Sequence, residues 1–105
     1  MRIRVRRVGG IAGNVAFAAE LDSARLPGGE ATRLEEALAG LPWGAPGEAP
    51  PYPDAFRYEV DLLDDPGRGT AVLGEQQMAG GLDVLRRYLQ QNGSVEPAGR
   101  QRGRG

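Results

Sequence analysis

The chain has 105 residues and a formal net charge of −1, which allows one domain with a single modest hydrophobic core. It has no cysteine and no histidine, and all 13 of its basic residues are arginines. Disulfide frameworks, thiolate metal sites and catalysis by a serine–histidine pair are therefore excluded. Because no apolar run is long enough for a membrane span or a secretion signal, we expect a cytoplasmic protein.

The first 21 residues predict two strands joined by a long connection. Residues 2–7 alternate arginines with Ile3 and Val5, and residues 15–21 also alternate, with Phe17 on their apolar face. This period of two is typical of a strand with one buried face. The stretch between the two runs is rich in glycine and contains an isoleucine and an alanine, which predicts a long, partly apolar loop rather than a tight turn.

A helix and a proline-rich loop follow. Leucines and alanines in residues 31–41 keep the spacing of one buried helical stripe, and Pro27 suits a first turn, so the pattern predicts a helix over residues 29–40. Residues 42–53 contain five of the eight prolines in the chain, which is incompatible with a helix or a central strand. We interpret this stretch as a loop that Trp43 anchors.

The second half of the chain repeats the order of strands and helix. Residues 56–62 alternate and predict a third strand, and residues 70–74 predict a short fourth strand with Val72 facing the core. An apolar stripe predicts a second helix over residues 78–91. Residues 93–105 are rich in arginine and glycine, and we expect them to form a disordered tail.

These elements define an α+β domain over residues 1–92. Its predicted architecture is a four-stranded antiparallel sheet with two helices, in the order β-β-α-β-β-α. The two amphipathic helices can cover one face of the sheet. The other face is expected to carry an exposed lattice of opposite charges, formed by Arg2, Arg4, Arg6, Glu20, Glu59 and Asp61.

The residues predict no catalytic, cofactor or metal site. Ser23 and Ser94 are the only serines, and the chain has no histidine, cysteine or lysine to activate them. The acidic pairs at 35–36 and 64–65 fit a solvated helix face and a turn, and their spacing lacks the pattern of a calcium loop. The glycine-rich stretch leads into a strand rather than a helix, which argues against a phosphate-binding loop.

Four stretches in order resemble the emfourin family of small bacterial proteins. They are MRIRVRRVGGIAG, LDSARLPGGEATRLEEAL, FRYEVDL and GLDVLRRYL, and together they span roughly residues 1–90. The most distinctive parts are the arginine-rich first strand that runs into Gly-Gly-Ile-Ala-Gly and the Leu-Pro before the first helix. The family is named for a member that inhibits protealysin, a thermolysin-like zinc metallopeptidase.

The resemblance implies a competitive inhibitor of a protealysin-like metallopeptidase, with no enzyme activity and no cofactor of its own, and we expect a monomer. Such an inhibitor needs a protruding segment, and thermolysin-like enzymes favour a bulky aliphatic residue just after the scissile bond. Ile11 and Leu26 are the aliphatic residues best placed to fill that pocket. The predicted peptidase-binding residues are Gly9, Gly10, Ile11, Ala12, Gly13, Asn14, Arg25, Leu26 and Pro27.

Other interpretations of the same residues stay open. Leu26 could pack in the core, and Ile11 could fold back over the hairpin. The chain could also be an interaction module without inhibitory activity, which binds another protein, or binds nucleic acid through the arginines of the first strand. The absence of aromatic residues between those arginines and the overall negative charge make nucleic acid the weaker of these partners.

Overall fold

The alternating runs form strands in the structure, a computed structural model in which residues 1–9, 15–44 and 56–97 are described. The strands in these ranges are β1 (Arg2–Gly9), β2 (Val15–Asp22), β3 (Phe56–Leu62), β4 (Thr70–Gly74) and β5 (Ser94–Pro97). The helices are α1 (Gly28–Ala39) and α2 (Asp83–Asn92), and short 3₁₀ turns lie at Ser23–Arg25, Pro66–Arg68, Glu75–Gln77 and Gly80–Leu82. The predicted α+β class and the order β-β-α-β-β-α are confirmed, and the short β5 follows them.

The described strands form one antiparallel sheet in the order β4-β3-β1-β2-β5, so β1 is its central strand. Val5 of β1 lies opposite Ala19 of β2 and Val60 of β3. Both helices pack on the face that carries these residues. Burial of a large aliphatic side chain there contributes about 1.5–3 kcal/mol. The hydrophobic side chains at most 1% exposed are Ile3, Val5, Leu34, Leu38, Tyr58, Val60, Ala71, Leu85 and Leu89.

The opposite face of the sheet carries ion pairs between neighbouring strands, as predicted. Arg4 Nη1 lies 3.3 Å from Glu20 Oε2, and Arg6 Nη2 lies 2.7 Å from Glu59 Oε1. Each pair is directly opposite in the strand register. The side chains of Arg6 and Glu59 are only 16% and 19% exposed, so solvent screens this pair less than a fully exposed one.

The prediction for the core-facing residues of β4 is wrong. Ala71 and Leu73 are buried, whereas Val72 is partly exposed on the other face. The cause is the pairing with β3, in which Val60, a core residue, lies opposite Ala71. Because the side chains of a strand alternate, this register directs Val72 away from the helices.

The structure also differs from the expected tail. Ser94–Pro97, which the sequence placed in a disordered tail, pairs with β2, with Val95 opposite Phe17. Gly93 allows this return, because a Cβ atom there would lie 2.6 Å from the Leu89 carbonyl oxygen and 2.8 Å from the Phe17 ring. Residues 98–105 of the predicted tail lie outside the described residues.

Two glycines determine where the second helix begins. The first helix begins and ends within one residue of its predicted bounds, but α2 begins at Asp83 rather than residue 78. Gly80 has a φ of +60°, which interrupts the helical pattern, and Gly81 packs directly against the backbone of α1. Met78, the first residue of the predicted stripe, is nevertheless only 2% exposed and belongs to the core.

Trp43 has the anchoring role that the sequence predicts. Its Nε1–H donates a hydrogen bond to the Leu38 carbonyl oxygen at 2.8 Å, and its ring packs against the core. The chain after α1 is thereby held against the end of that helix. Residues 45–53 of the predicted proline-rich loop lie outside the described residues.

We predict that Gly81→Ala lowers the free energy of unfolding by about 1–3 kcal/mol, because it overpacks a tight contact. A Cβ atom at this position would lie 2.3 Å from the Arg33 carbonyl oxygen and 3.0 Å from Ala37 Cβ. The matched control is Gly28→Ala, since no atom lies within 4 Å of a Cβ there. Urea denaturation should show the control unchanged or stabilised by up to about 1 kcal/mol. Equal stability of the two variants would contradict the contact.

Candidate functional site

The predicted binding residues fall at opposite ends of the β1–β2 hairpin. Gly9, at the end of β1, lies beside Phe56, whereas the Arg25–Pro27 turn follows the far end of β2, where Asp22 pairs with Arg2. At about 3.3 Å per residue, the length of β1 separates Arg2 from Gly9 by about 23 Å. The structure therefore does not bring the two predicted segments together along the sheet. Gly10, Ile11, Ala12, Gly13 and Asn14 lie outside the described residues.

Gly9 shows how the chain leaves β1. Its φ is +99°, a backbone conformation that residues other than glycine rarely adopt. The strands that carry the loop are β1, at the centre of the sheet, and its neighbour β2. The base of the loop is therefore held by hydrogen-bonded strands on both sides of β1.

Aromatic side chains surround Arg7 next to this base. The Arg7 guanidinium carbon lies 4.6 Å from the centroid of the Phe56 ring and 5.5 Å from that of Phe17. Tyr58, directly opposite Arg7 on β3, is 1% exposed. Burial raises the pKa of Tyr58, the nearby Glu75 carboxylate raises it further, and the Arg7 guanidinium acts in the opposite direction. Sequence reasoning missed this cluster, although the strand period places Arg7 on the apolar face.

The turn after β2 is held by three local interactions. The Asp22 carboxylate accepts a hydrogen bond from the Ala24 N–H at 3.0 Å, and this bond is the main cause that lowers the pKa of Asp22. Ser23 is fully buried, and its hydroxyl donates a hydrogen bond to the Glu35 carboxylate on α1. The Ser23 carbonyl oxygen accepts from the Leu26 N–H at 3.1 Å. In the sequence alone, Ser23 stands only as a possible nucleophile that no residue could activate.

The turn presents its three predicted binding residues differently. Arg25 and Pro27 are exposed, whereas Leu26 is partly buried and packs against the core. Leu26 lines a shallow depression together with Val84 and Tyr88 of α2. The Leu26 side chain is therefore already engaged in the free protein, which favours the structural interpretation of this residue.

The described residues also bear on metal, membrane and nucleic-acid binding. Within them, no group of three histidine, cysteine, aspartate or glutamate side chains is placed to hold a metal ion. Neither α1 nor α2 has the length and apolar character that a membrane-spanning helix requires. Arg4 and Arg6 are paired with carboxylates across the sheet, which offsets the positive charge that nucleic-acid binding would need.

A comparison with known protein families identifies the class of this protein. The Emfourin family model matches residues 5–90, which covers most of the chain. The protein therefore belongs to the Emfourin family, whose members are known as inhibitors of protealysin-like metallopeptidases and are not enzymes. The family implies a protealysin-like metallopeptidase as the partner. No curated protein and no solved structure matches the chain.

We predict that Ser23→Ala lowers the free energy of unfolding by about 1–3 kcal/mol, because it leaves the Glu35 carboxylate without its buried donor. Ser94→Ala is the matched control, since Ser94 is exposed on β5 and its replacement should change the free energy by less than about 0.5 kcal/mol. Both values can be measured by urea denaturation. Two equally small effects would show that the hydroxyl of Ser23 does not hold the turn.

A second prediction concerns how the stability of the fold depends on pH. Since the pKa of Asp22 is lowered from 3.8 in the folded protein, its ionised form stabilises the turn at neutral pH. This contribution to stability is fully present at pH values above 3.8 and is lost as the pH falls through the lowered pKa of Asp22. We expect Asp22→Asn, which can still cap the turn, to weaken the loss of stability in that window. Parallel urea midpoints of the two proteins between pH 6 and pH 2 would contradict this role.

Proposed function

We propose that this protein is a competitive inhibitor of a protealysin-like metallopeptidase, and that residues Gly9–Asn14 enter the active-site cleft of the enzyme. The family membership supports the choice of partner. The observation that supports the choice of segment is the position of its base, which continues from the central strand of the sheet through a glycine with a φ of +99°. A rigid base lowers the entropic cost of ordering a binding loop.

Within this segment, Ile11 is the proposed anchor. Thermolysin-like enzymes favour a bulky aliphatic residue just after the scissile bond, and Ile11 is the aliphatic residue with the largest side chain in the glycine-rich stretch. The glycines on both sides lack side chains, so the backbone can approach the floor of a cleft closely. One buried aliphatic side chain of this kind can supply a large share of the binding energy.

The turn at Arg25–Pro27 has a secondary place in the proposal. Leu26 packs against the core and lines a depression beside α2, so inserting it into a pocket would require breaking contacts that the free protein already makes. The exposed guanidinium of Arg25 is available for an acidic rim on the peptidase. Its position at the other end of the hairpin places such a contact away from the cleft-entering segment.

We predict that Ile11→Ala raises the inhibition constant about thirtyfold, the loss expected for removing a buried anchor worth about 2 kcal/mol. Leu26→Ala should instead destabilise the fold by about 2 kcal/mol, because its side chain packs against the core, and should change inhibition little. Progress curves with a protealysin-like peptidase and a fluorogenic peptide measure the first effect, and thermal melts measure the second. Wild-type inhibition should be relieved by raising the substrate concentration.

The contradicting outcomes are distinct. Full peptidase activity at micromolar wild-type protein, with the protein folded and uncleaved, would reject inhibition of that enzyme. Inhibition that is lost in Leu26→Ala but kept in Ile11→Ala, with equal melting temperatures, would move the anchor to the turn. Binding that weakens steeply between low and moderate salt would favour phosphate contacts over an apolar anchor.

A further inference from the structure

The arrangement around Arg7 is the feature of the fold that the proposed function leaves unexplained. Arg7 lies on the apolar face of β1, where the preceding residues of that face, Ile3 and Val5, are fully buried. An aliphatic residue would continue the core at this position. The chain instead has an arginine, whose guanidinium lies against the rings of Phe17 and Phe56.

The geometry connects three strands at one point. Phe17 belongs to β2 and lies opposite Arg7, and Phe56 belongs to β3 and lies opposite Gly9. Gly9 has no side chain, so the Phe56 ring can meet the guanidinium on the neighbouring position of the same face. One side chain of β1 thereby contacts both strands that flank β1, within two residues of the end of β1.

An arginine suits this position better than any other cation. Its guanidinium is planar and weakly hydrated, so it can stack on aromatic rings while its edges keep polar contacts. Phe17 and Phe56 are only partly buried, and the aliphatic stem of arginine can cover apolar surface at such a margin of the core. A lysine would supply the charge but not a flat surface for two rings.

We propose that Arg7 is a positioning residue for peptidase binding: its guanidinium, held by Phe17 and Phe56, fixes the ends of β1, β2 and β3 on which the cleft-entering segment depends. This inference rests on the proposed function. The residue acts through the strand ends and is not itself an anchor. Loss of the stack leaves the hairpin paired but loosens its end, so the inhibitor orders that end only on binding and loses affinity.

The experiment compares the full chain with Arg7→Met, Arg7→Lys and the control Arg2→Met. Methionine keeps most of the apolar length and removes the guanidinium, and lysine keeps the charge and the aliphatic stem but lacks the planar group. Arg2 is on the same strand, but its side chain is 60% exposed and faces Glu20 at 4.0 Å on the opposite side of the sheet. Each protein is tested for melting temperature, for inhibition in progress curves, and for amide hydrogen exchange at Gly9, Val15 and Phe56.

We expect Arg7→Met to raise the inhibition constant about tenfold, the fold-change that corresponds to losing a partly desolvated cation–π contact. Amide exchange at the three strand ends should accelerate by a similar factor, while exchange in the middle of β1 stays as in the wild type. Arg7→Lys should behave like Arg7→Met, and Arg2→Met like the wild type. A local change of this kind separates positioning from general stability.

Three results would overturn the proposal. One is an unchanged inhibition constant in Arg7→Met when the wild type inhibits, which removes the role of Arg7 and leaves the proposed function intact. Another is uniform acceleration of exchange over the whole sheet, which makes Arg7 a general stabilising residue. The third is a wild type that does not inhibit, which rejects the proposed function together with the role of Arg7; exchange at the strand ends then shows separately whether the stack holds them.

Discussion

The pairing of β1 with a strand on each side is the constraint on which the rest of the structure depends. As the central strand, β1 sets the register of β2 and β3, and through β3 that of β4. Its alternating residues assign the two faces of the sheet, with Ile3 and Val5 towards the helices and Arg2, Arg4 and Arg6 on the opposite face. A slip of one residue would exchange these faces and bury the arginines, so the hydrophobic pattern specifies the register strongly.

The same strand links the core to the proposed binding function. Ile3 and Val5 in its first half are buried beneath the helices, its last residue, Gly9, has a positive φ, and Arg7 lies between them. A binding segment attached to such a strand inherits its rigidity at the base without needing contacts of its own. Such a base lowers the entropic cost of binding even in a small protein of 105 residues with a single modest core.

The charges of the sheet have a structural use that bears on the choice of partner. Arginines on the outer face of β1 are matched by glutamates of β2 and β3, and the Arg6–Glu59 pair is shielded from solvent. Such pairs contribute modestly to stability, but they cancel the positive field that phosphate groups would need. Because the carboxylates on the neighbouring strands neutralise these arginines, the arginine-rich strand does not require a nucleic-acid partner and is compatible with a protein partner.

Much of the fold could be predicted from local patterns. The period of two identified β1, β2 and β3, the leucine stripe identified α1 within one residue at each end, and the order of the motifs identified the family. Of the candidate site, the sequence could name Gly9 and the Arg25–Pro27 turn, because glycine-rich and proline-containing stretches mark connections. It could not show that these segments lie at opposite ends of the hairpin.

What only the tertiary structure decided concerns contacts between distant residues. The core face of β4 depends on its pairing with Val60, β5 depends on the close approach of Gly93 to Phe17, and the start of α2 depends on the contact of Gly81 with α1. The use of Ser23 as a buried donor and of Arg7 as the partner of two rings has the same origin. Alternation and helical stripes are properties of neighbouring residues, so the sequence by itself determined them. Register, close packing and the partners of a polar side chain arise only when separate segments meet, so the folded chain decided them.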